Sequence, residues 1–291
     1  MGQTIACANQ KGGVGKTTTV VNLATYLALS GDRVLIIDLD PQGNATSGLG
    51  VDRAALDGSI YEAIANDADP AGLVRGTPVG GLSILPSTIS LAGAEVELAT
   101  VGQRERRLAR IVARLRDGFD HVFIDCPPTL GLLTVNALTA ADAVLIPIQC
   151  EYYALEGLTH LIASINLIRD HLNPDLDVAG VLLTMFDART NLSADVSAEV
   201  RRHLGDAVFQ TVIPRTIRLS EAPGFGLPIA LYRPSSKGAE AYRAAADEFR
   251  ARTARAAWRG IIPVAVGPGR TVVGEAGGAA DLDAPLIGAP A

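Results

Sequence analysis

A glycine-rich loop lies between a short apolar run and a helix-forming stretch, and it constrains this chain more than any other feature. The run Thr4–Ala8 leads into Gln10-Lys11-Gly12-Gly13-Val14-Gly15-Lys16-Thr17-Thr18, and Thr17–Leu29 then carries helical patterning. Strand, glycine loop and helix in that order form the setting in which a backbone wraps phosphate. Glycines let successive N–H groups turn inward without Cβ clashes, and the helix N-terminus adds partial positive charge. In such a loop Lys16 is placed to reach β- and γ-phosphates and the Thr17 hydroxyl to ligate Mg²⁺. Gly12, Gly13, Val14, Gly15 and Thr18 complete the cradle. Gln10 stands where the common pattern has its first glycine, and a second lysine, Lys11, lies inside the loop. A chance glycine turn ending in Gly-Lys-Thr would not account for the strand and helix that flank it.

Near-continuous apolar runs recur at Val34–Asp38, Leu82–Leu85, His121–Asp125, Ala143–Ile148, Val178–Thr184 and Val208–Ile213. Such runs suit parallel strands covered on both faces. Helical patterns separate them at Arg104–Arg116, Leu130–Thr139, Leu158–His171 and Ser193–Leu204. The alternation predicts an α/β fold, a mostly parallel twisted sheet with helices on both faces, and the phosphate loop at the end of its first strand is what a P-loop NTPase fold carries. Hydrophobic residues are 48% of the chain and aromatics only 4%, which favours helices on a sheet over an aromatic-rich sandwich. A last helix is predicted over Ser236–Trp258. Beyond it the composition turns to Gly, Pro and Ala, so the expected organisation is one folded domain over 1–259 and a flexible tail over 260–291.

Net charge of −6 excludes a surface coated in positive charge, though not a local basic patch. Cys7, Cys126 and Cys150 lack metal-pair spacing and read as small apolar residues in a reducing compartment. The start carries no basic, apolar leader, and no apolar run reaches the ~18 residues of a membrane span. The expectation is a cytoplasmic protein.

Two aspartates stand at strand ends, where open α/β sheets bind ligands. Asp40 lies in Asp38-Leu39-Asp40-Pro41-Gln42-Gly43-Asn44, and Asp125 closes Phe123-Ile124-Asp125 ahead of Cys126-Pro127-Pro128. An aspartate there often only caps a helix or closes a turn. Beside a phosphate loop, Asp125 suits the carboxylate that holds Mg²⁺.

The segment Lys11-Gly12-Gly13-Val14-Gly15-Lys16-Thr17 resembles the deviant Walker A motif of the ParA/MinD group of P-loop ATPases. The resemblance implies ATP and Mg²⁺ as cofactors and a homodimer that sandwiches the nucleotide. It also implies that Lys11 reaches across to the other protomer's phosphates, acting as an arginine finger does. Asp40 is similar to the family's switch I aspartate, which positions or activates the attacking water. Lys11, Lys16 and Asp40 are therefore the implied catalytic residues, and Thr17 and Asp125 the implied metal ligands.

Further segments resemble the Soj-type, chromosome-partitioning branch, to about Phe249. They are Ser90–Glu95, Gly131–Leu138, Gln149–Leu158 and Arg218-Leu219-Ser220-Glu221-Ala222-Pro223. In this branch adenine lies against the segment matching Ile213-Pro214-Arg215-Thr216, which implies base contacts from Pro214 and Thr216. Many Soj-like proteins carry Asn where this chain has Thr216, and a simple strand-to-loop transition at Pro214 is the alternative. Arg189 and Arg218 match places where Soj-like proteins present DNA-contacting arginines, with Arg201, Arg202 and Lys237 as further candidates. The implied function is a segregation switch: an ATP-bound dimer binds double-stranded DNA non-specifically on the nucleoid, and a ParB-type centromere-binding partner stimulates hydrolysis. With the phosphate loop so close to Met1, the N-terminal DNA-reading domain of larger plasmid relatives is expected to be absent.

Two alternatives stay open at this point. A MinD-like, membrane-surface ATPase would carry a basic amphipathic C-terminal helix; Arg250, Arg252, Arg255 and Arg259 near Phe249 and Trp258 follow that pattern, but on an alanine-rich face. No stable membrane association is expected. A metabolic or redox ATPase is the other, with Cys126 beside Asp125 as its one suggestive feature, since the nitrogenase iron protein is a relative.

Overall fold

Every residue of Val34–Asp38 and of His121–Asp125 is buried, an outcome open to strands only when both faces are covered. In the computed structural model, which describes residues 2–152 and 154–254, these runs join one eight-stranded sheet. Its strands are β1 (Gln3–Cys7), β2 (Val34–Asp38), β3 (Arg75–Gly76), β4 (Leu82–Leu85), β5 (His121–Asp125), β6 (Ala143–Gln149), β7 (Asp177–Phe186) and β8 (Val208–Pro214). The order is β3-β4-β2-β5-β1-β6-β7-β8, parallel throughout except for the β3–β4 pair.

Alternate strand residues feed opposite core layers, because successive side chains point to opposite faces. Ile5, Cys7, Val34 and Ile36 meet Val20, Leu23 and Leu27 of the helix Lys16–Leu29 and Tyr242 and Phe249 of the helix Lys237–Ala254. Ala6, Leu35 and Ile37 face the opposite way, toward Leu108 and Ile111 of Arg107–Leu115, Leu133 and Leu138 of Leu132–Ala140, and Leu161 of Ala154–His171. Register brings strand ends together: Cys7 pairs with Asp125 and Asp125 with Asp38. The phosphate loop leaves from the end of β1, beside both carboxylates.

All the apolar runs form strands. The predicted helix over Arg104–Arg116 is a 3₁₀ turn, Arg104–Arg106, followed by an α-helix, Arg107–Leu115. Leu158–His171 extends back to Ala154. Not foreseen were the two-residue antiparallel edge β3 and the short helices Asn44–Gly48, Ile60–Asn66, Pro70–Leu73 and Leu91–Glu97, each too brief to display a 3.6-residue period. The last helix is described as Lys237–Ala254; its predicted extension to Trp258 and the 260–291 tail lie outside the described residues.

Candidate nucleotide site

The loop can exist only because of its glycines. Gly13 and Gly15 take φ of 76° and 89°, a left-handed conformation that costs a Cβ-bearing residue about 1–2 kcal/mol. Gly15 caps the helix Lys16–Leu29 without any side-chain hydrogen bond, and the first turn holds no acidic residue. The first N–H groups of the helix thus keep their capacity for an anion, with the dipole adding to it. Two side-chain hydrogen bonds tie the loop to strands distant in sequence. Asn9 donates through Nδ2 to the Pro147 carbonyl at 2.8 Å and accepts the Lys11 N–H at 3.0 Å. Thr184 on β7 donates to the Val14 carbonyl at 2.8 Å. Lys16 is 7% exposed and donates through Nζ to the Lys11 carbonyl at 3.1 Å, so its ammonium closes the loop from inside. Lys11 does the opposite: its side chain is 47% exposed and forms an ion pair with Glu151.

Three aspartates border this cradle in different environments. Asp125 is fully buried, and neither carboxylate oxygen has a hydrogen-bond partner of ordinary geometry. Burial pushes its pKa well above the usual carboxylate range; the Asp38 charge adds to the rise, while the Thr17 hydroxyl and the Lys16 ammonium oppose it. An orphaned buried carboxylate is costly, and a cation is the natural compensation. The donor set fits Mg²⁺, which binds through one or two carboxylates plus substrate oxygens and not in an all-protein cage; among the described residues no cluster of three or more His, Cys, Asp or Glu is suited to a metal. Asp38 is equally buried, and desolvation raises its pKa to about 6 against the pull of bonds from Thr46 and Asp40. Asp40, 7% exposed, accepts the Gln42 N–H at 2.9 Å, which shapes the turn after β2.

From the loop a cavity of about 680 Å³ runs toward the end of β8, lined among others by Gly15, Thr17, Thr18, Pro214 and Thr216. The structure therefore brings the phosphate loop and the predicted base-contact residues to one cavity. The Thr216 hydroxyl is partly committed: it caps the helix Ile217–Glu221 by accepting the Arg218 N–H at 3.2 Å.

Arg189 and Arg218 follow the neighbouring strands β7 and β8, whose ends pair at Phe186 and Pro214. Both are surface groups, with side chains 87% and 51% exposed, and each pairs with a nearby carboxylate at 2.7 Å, Asp187 and Glu221 respectively. Arg201, by contrast, donates to the Phe209 and Gln210 carbonyls, and Arg202 pairs with Glu199.

Among the described residues, the features behind the two alternatives also have packing roles. Phe249 is fully buried, Arg252 pairs with Glu248 and stacks over the Phe209 ring, and Arg250 reaches Asp32. Arg255, Trp258 and Arg259 lie outside the described residues. No helix among the described residues is long and apolar enough to cross a membrane. Cys7, Cys126 and Cys150 are all buried free thiols, and burial raises the pKa of each, Cys150 to about 11; each packs within the core as a small apolar side chain.

A family model described as an AAA domain matches residues 2–178. Over 251 residues the chain is 55% identical to the sporulation initiation inhibitor protein Soj of Bacillus subtilis (strain 168), covering 86% of this chain and 99% of that protein. The chain belongs to the Soj/ParA family of chromosome-partitioning ATPases. The chromosome partitioning protein ParA of Myxococcus xanthus is another relative, 52% identical across 87% of this chain and 89% of its own length. Among solved structures, the cobyrinic acid a,c-diamide synthase of Mycobacterium smegmatis with bound ATP analogue and magnesium is 42% identical, with a TM-score of 0.75 over 85% of this chain and 93% of that one. The cell division ATPase MinD of Pyrococcus furiosus is 26% identical, with a TM-score of 0.73 over 86% of this chain and 99% of that one. The Soj/ParA relatives match at higher identity than either, and the segments shared with this family extend well beyond the phosphate loop.

Proposed function

We propose that this Soj/ParA-family ATPase is a DNA-segregation switch, in which ATP and Mg²⁺ drive formation of a sandwich dimer that binds DNA without sequence specificity. The observation that carries the reading is the division of labour between the loop's two lysines. Lys16 is buried and turned into the cradle, while Lys11 stands at the rim, half-exposed and paired with Glu151. An outward cation beside a phosphate site suits a second protomer's nucleotide better than its own.

In this reading the N–H groups of the loop and of the helix start hold the phosphates, and Lys16 neutralises their charge. Thr17 and Asp125 are the residues that would hold Mg²⁺, which when bound neutralises charge on the β- and γ-phosphate oxygens. Asp40 orients the attacking water and takes up its proton, and Lys11 stabilises charge developing on the other protomer's nucleotide. Pro214 and Thr216 face the base. A ParB-type centromere-binding protein accelerates hydrolysis and returns the dimer to monomers, releasing the nucleoid.

Arg189 and Arg218 carry DNA binding in this scheme. Their ion pairs with Asp187 and Glu221 lie in solvent, which screens them, so backbone phosphates can displace them. Dimerisation doubles the set, and each phosphate contact steepens the salt dependence. Co-sedimentation with nonspecific DNA should succeed with ATP and fail with ADP. Changing Arg189 and Arg218 to Glu together should abolish sedimentation while the ATP-dependent dimer and ATP turnover persist; undiminished binding at moderate salt would move the DNA surface elsewhere.

Gly12→Val tests the sandwich itself. A Cβ at Gly12 meets nothing nearer than Pro128 Cβ at 3.9 Å, so the monomer has room for the first side-chain carbon there. The variant should bind ATP within about twofold of the parent yet show no ATP-dependent dimer by light scattering, because the branched side chain fills space needed by the facing loop. A normal dimer would place the interface away from Gly12.

A further inference from the structure

We infer that Thr46 is a positioning residue for ATP hydrolysis, acting through Asp38 on the turn that carries Asp40; this rests on the role proposed above for Asp40. Thr46 lies fully buried in the helix Asn44–Gly48. Its hydroxyl donates to Asp38 Oδ2 at 2.7 Å and accepts the Ser87 N–H at 3.0 Å. Its own backbone N–H donates to the same Asp38 oxygen at 2.8 Å. The other oxygen, Asp38 Oδ1, accepts the Asp40 N–H at 3.3 Å. Asp40 then closes its turn on the Gln42 and Gly43 N–H groups, both at 2.9 Å.

The result is a continuous buried relay from the Ser87 N–H, just beyond β4, through Thr46 and Asp38 to the backbone N–H of Asp40, at the head of the turn whose Gln42 N–H holds the Asp40 carboxylate. A hydroxyl is required at its centre, because only a group that donates and accepts at once joins Asp38 to Ser87. The relay ties the Asp40 turn to two strands of the sheet, β2 and β4, which pair from Val34–Leu82 to Ile37–Leu85. Asn44, Ser47 and Gly48 of the same short helix line the nucleotide cavity, whereas Thr46 is turned away from it. Loss of its hydroxyl should therefore leave ATP binding intact and degrade the aim of Asp40. A displacement of about 1 Å at such a position costs on the order of 10²-fold in rate.

The test compares full-length parent, Thr46→Val, Thr46→Ser and Asp40→Ala in single-turnover ATP hydrolysis with saturating Mg²⁺, alongside ATP affinity and melting temperature. Valine keeps the shape and removes the hydroxyl; serine keeps the hydroxyl and removes a methyl group. Thr46→Val should hydrolyse at least about tenfold more slowly with ATP affinity within about twofold, and Thr46→Ser should return to within about threefold of the parent. The inference is overturned if Thr46→Val retains the parental rate while Asp40→Ala is inactive, or if its defect lies wholly in affinity. Should Thr46→Val be unfolded, the serine variant decides, since a folded but equally slow Thr46→Ser overturns the hydroxyl's role. Parental turnover in Asp40→Ala would instead overturn the assignment of Asp40, and this inference with it.

Discussion

Lys16→Ala will abolish ATP binding at concentrations that saturate the parent. The Lys16 ammonium is buried within the loop and bonded to the Lys11 carbonyl, so a phosphate taken up there meets a preorganised, largely desolvated cation. Removing one partner of such a buried charge pair costs about 2–5 kcal/mol, or roughly 30-fold to several-thousand-fold in Kd. The loop itself should survive, because Asn9 and Thr184 brace it independently. Titration with a fluorescent ATP analogue measures the loss, and an unchanged melting temperature without nucleotide assigns it to the site. Affinity within threefold of the parent would remove Lys16 from the phosphate cradle.

Substitution of Asp40 should separate binding from chemistry. A positioned general base contributes about 10²–10⁴-fold in rate, and Asp40→Ala should lose that factor while ATP binding and dimerisation persist. The dimer then accumulates in its ATP-bound form, visible by light scattering and by retention on nonspecific DNA. Alanine also removes the acceptor for the Gln42 N–H, a bond worth about 0.5–1.5 kcal/mol. Asp40→Asn controls for this, since the amide oxygen still accepts that bond but takes up no proton. Equal impairment of the two variants points to chemistry; a defect confined to alanine points to the turn. Rapid turnover in both would end the assignment.

The local signals were sufficient for the frame of this molecule. Unbroken apolar runs such as Val34–Asp38, too short for an ordinary helix, suit strands buried on both faces, and each forms a strand. Glycines followed by Gly-Lys-Thr require a left-handed turn into a helix, and Gly13 and Gly15 take it. Such features are legible because their causes lie within a few residues of one another. The short helices between β2 and β5 lack that property: Asn44–Gly48 and Ile60–Asn66 hold too few turns to express a period, and packing stabilises them instead.

What holds the site in shape was settled only in three dimensions. Asn9 reaches Pro147 across 138 positions and Thr184 reaches Val14 across 170, and nothing near either residue announces it. Thr46 carries no signal in the sequence; only the fold sets Asp38 and Ser87 on either side of its hydroxyl. Arg189 and Arg218 were visible as charges, but their pairing with Asp187 and Glu221 depends on the conformation of the loop and short helix that carry them. The sequence by itself determined the strands, the phosphate loop and the carboxylates at strand ends, because backbone conformation and burial are dictated largely by neighbouring residues. Tertiary structure alone decided which polar groups brace that loop, which carboxylate is left unpartnered and which lysine faces outward, because a hydrogen bond or an ion pair needs atoms within about 3–4 Å and only the folded sheet brings residues so distant along the chain that close.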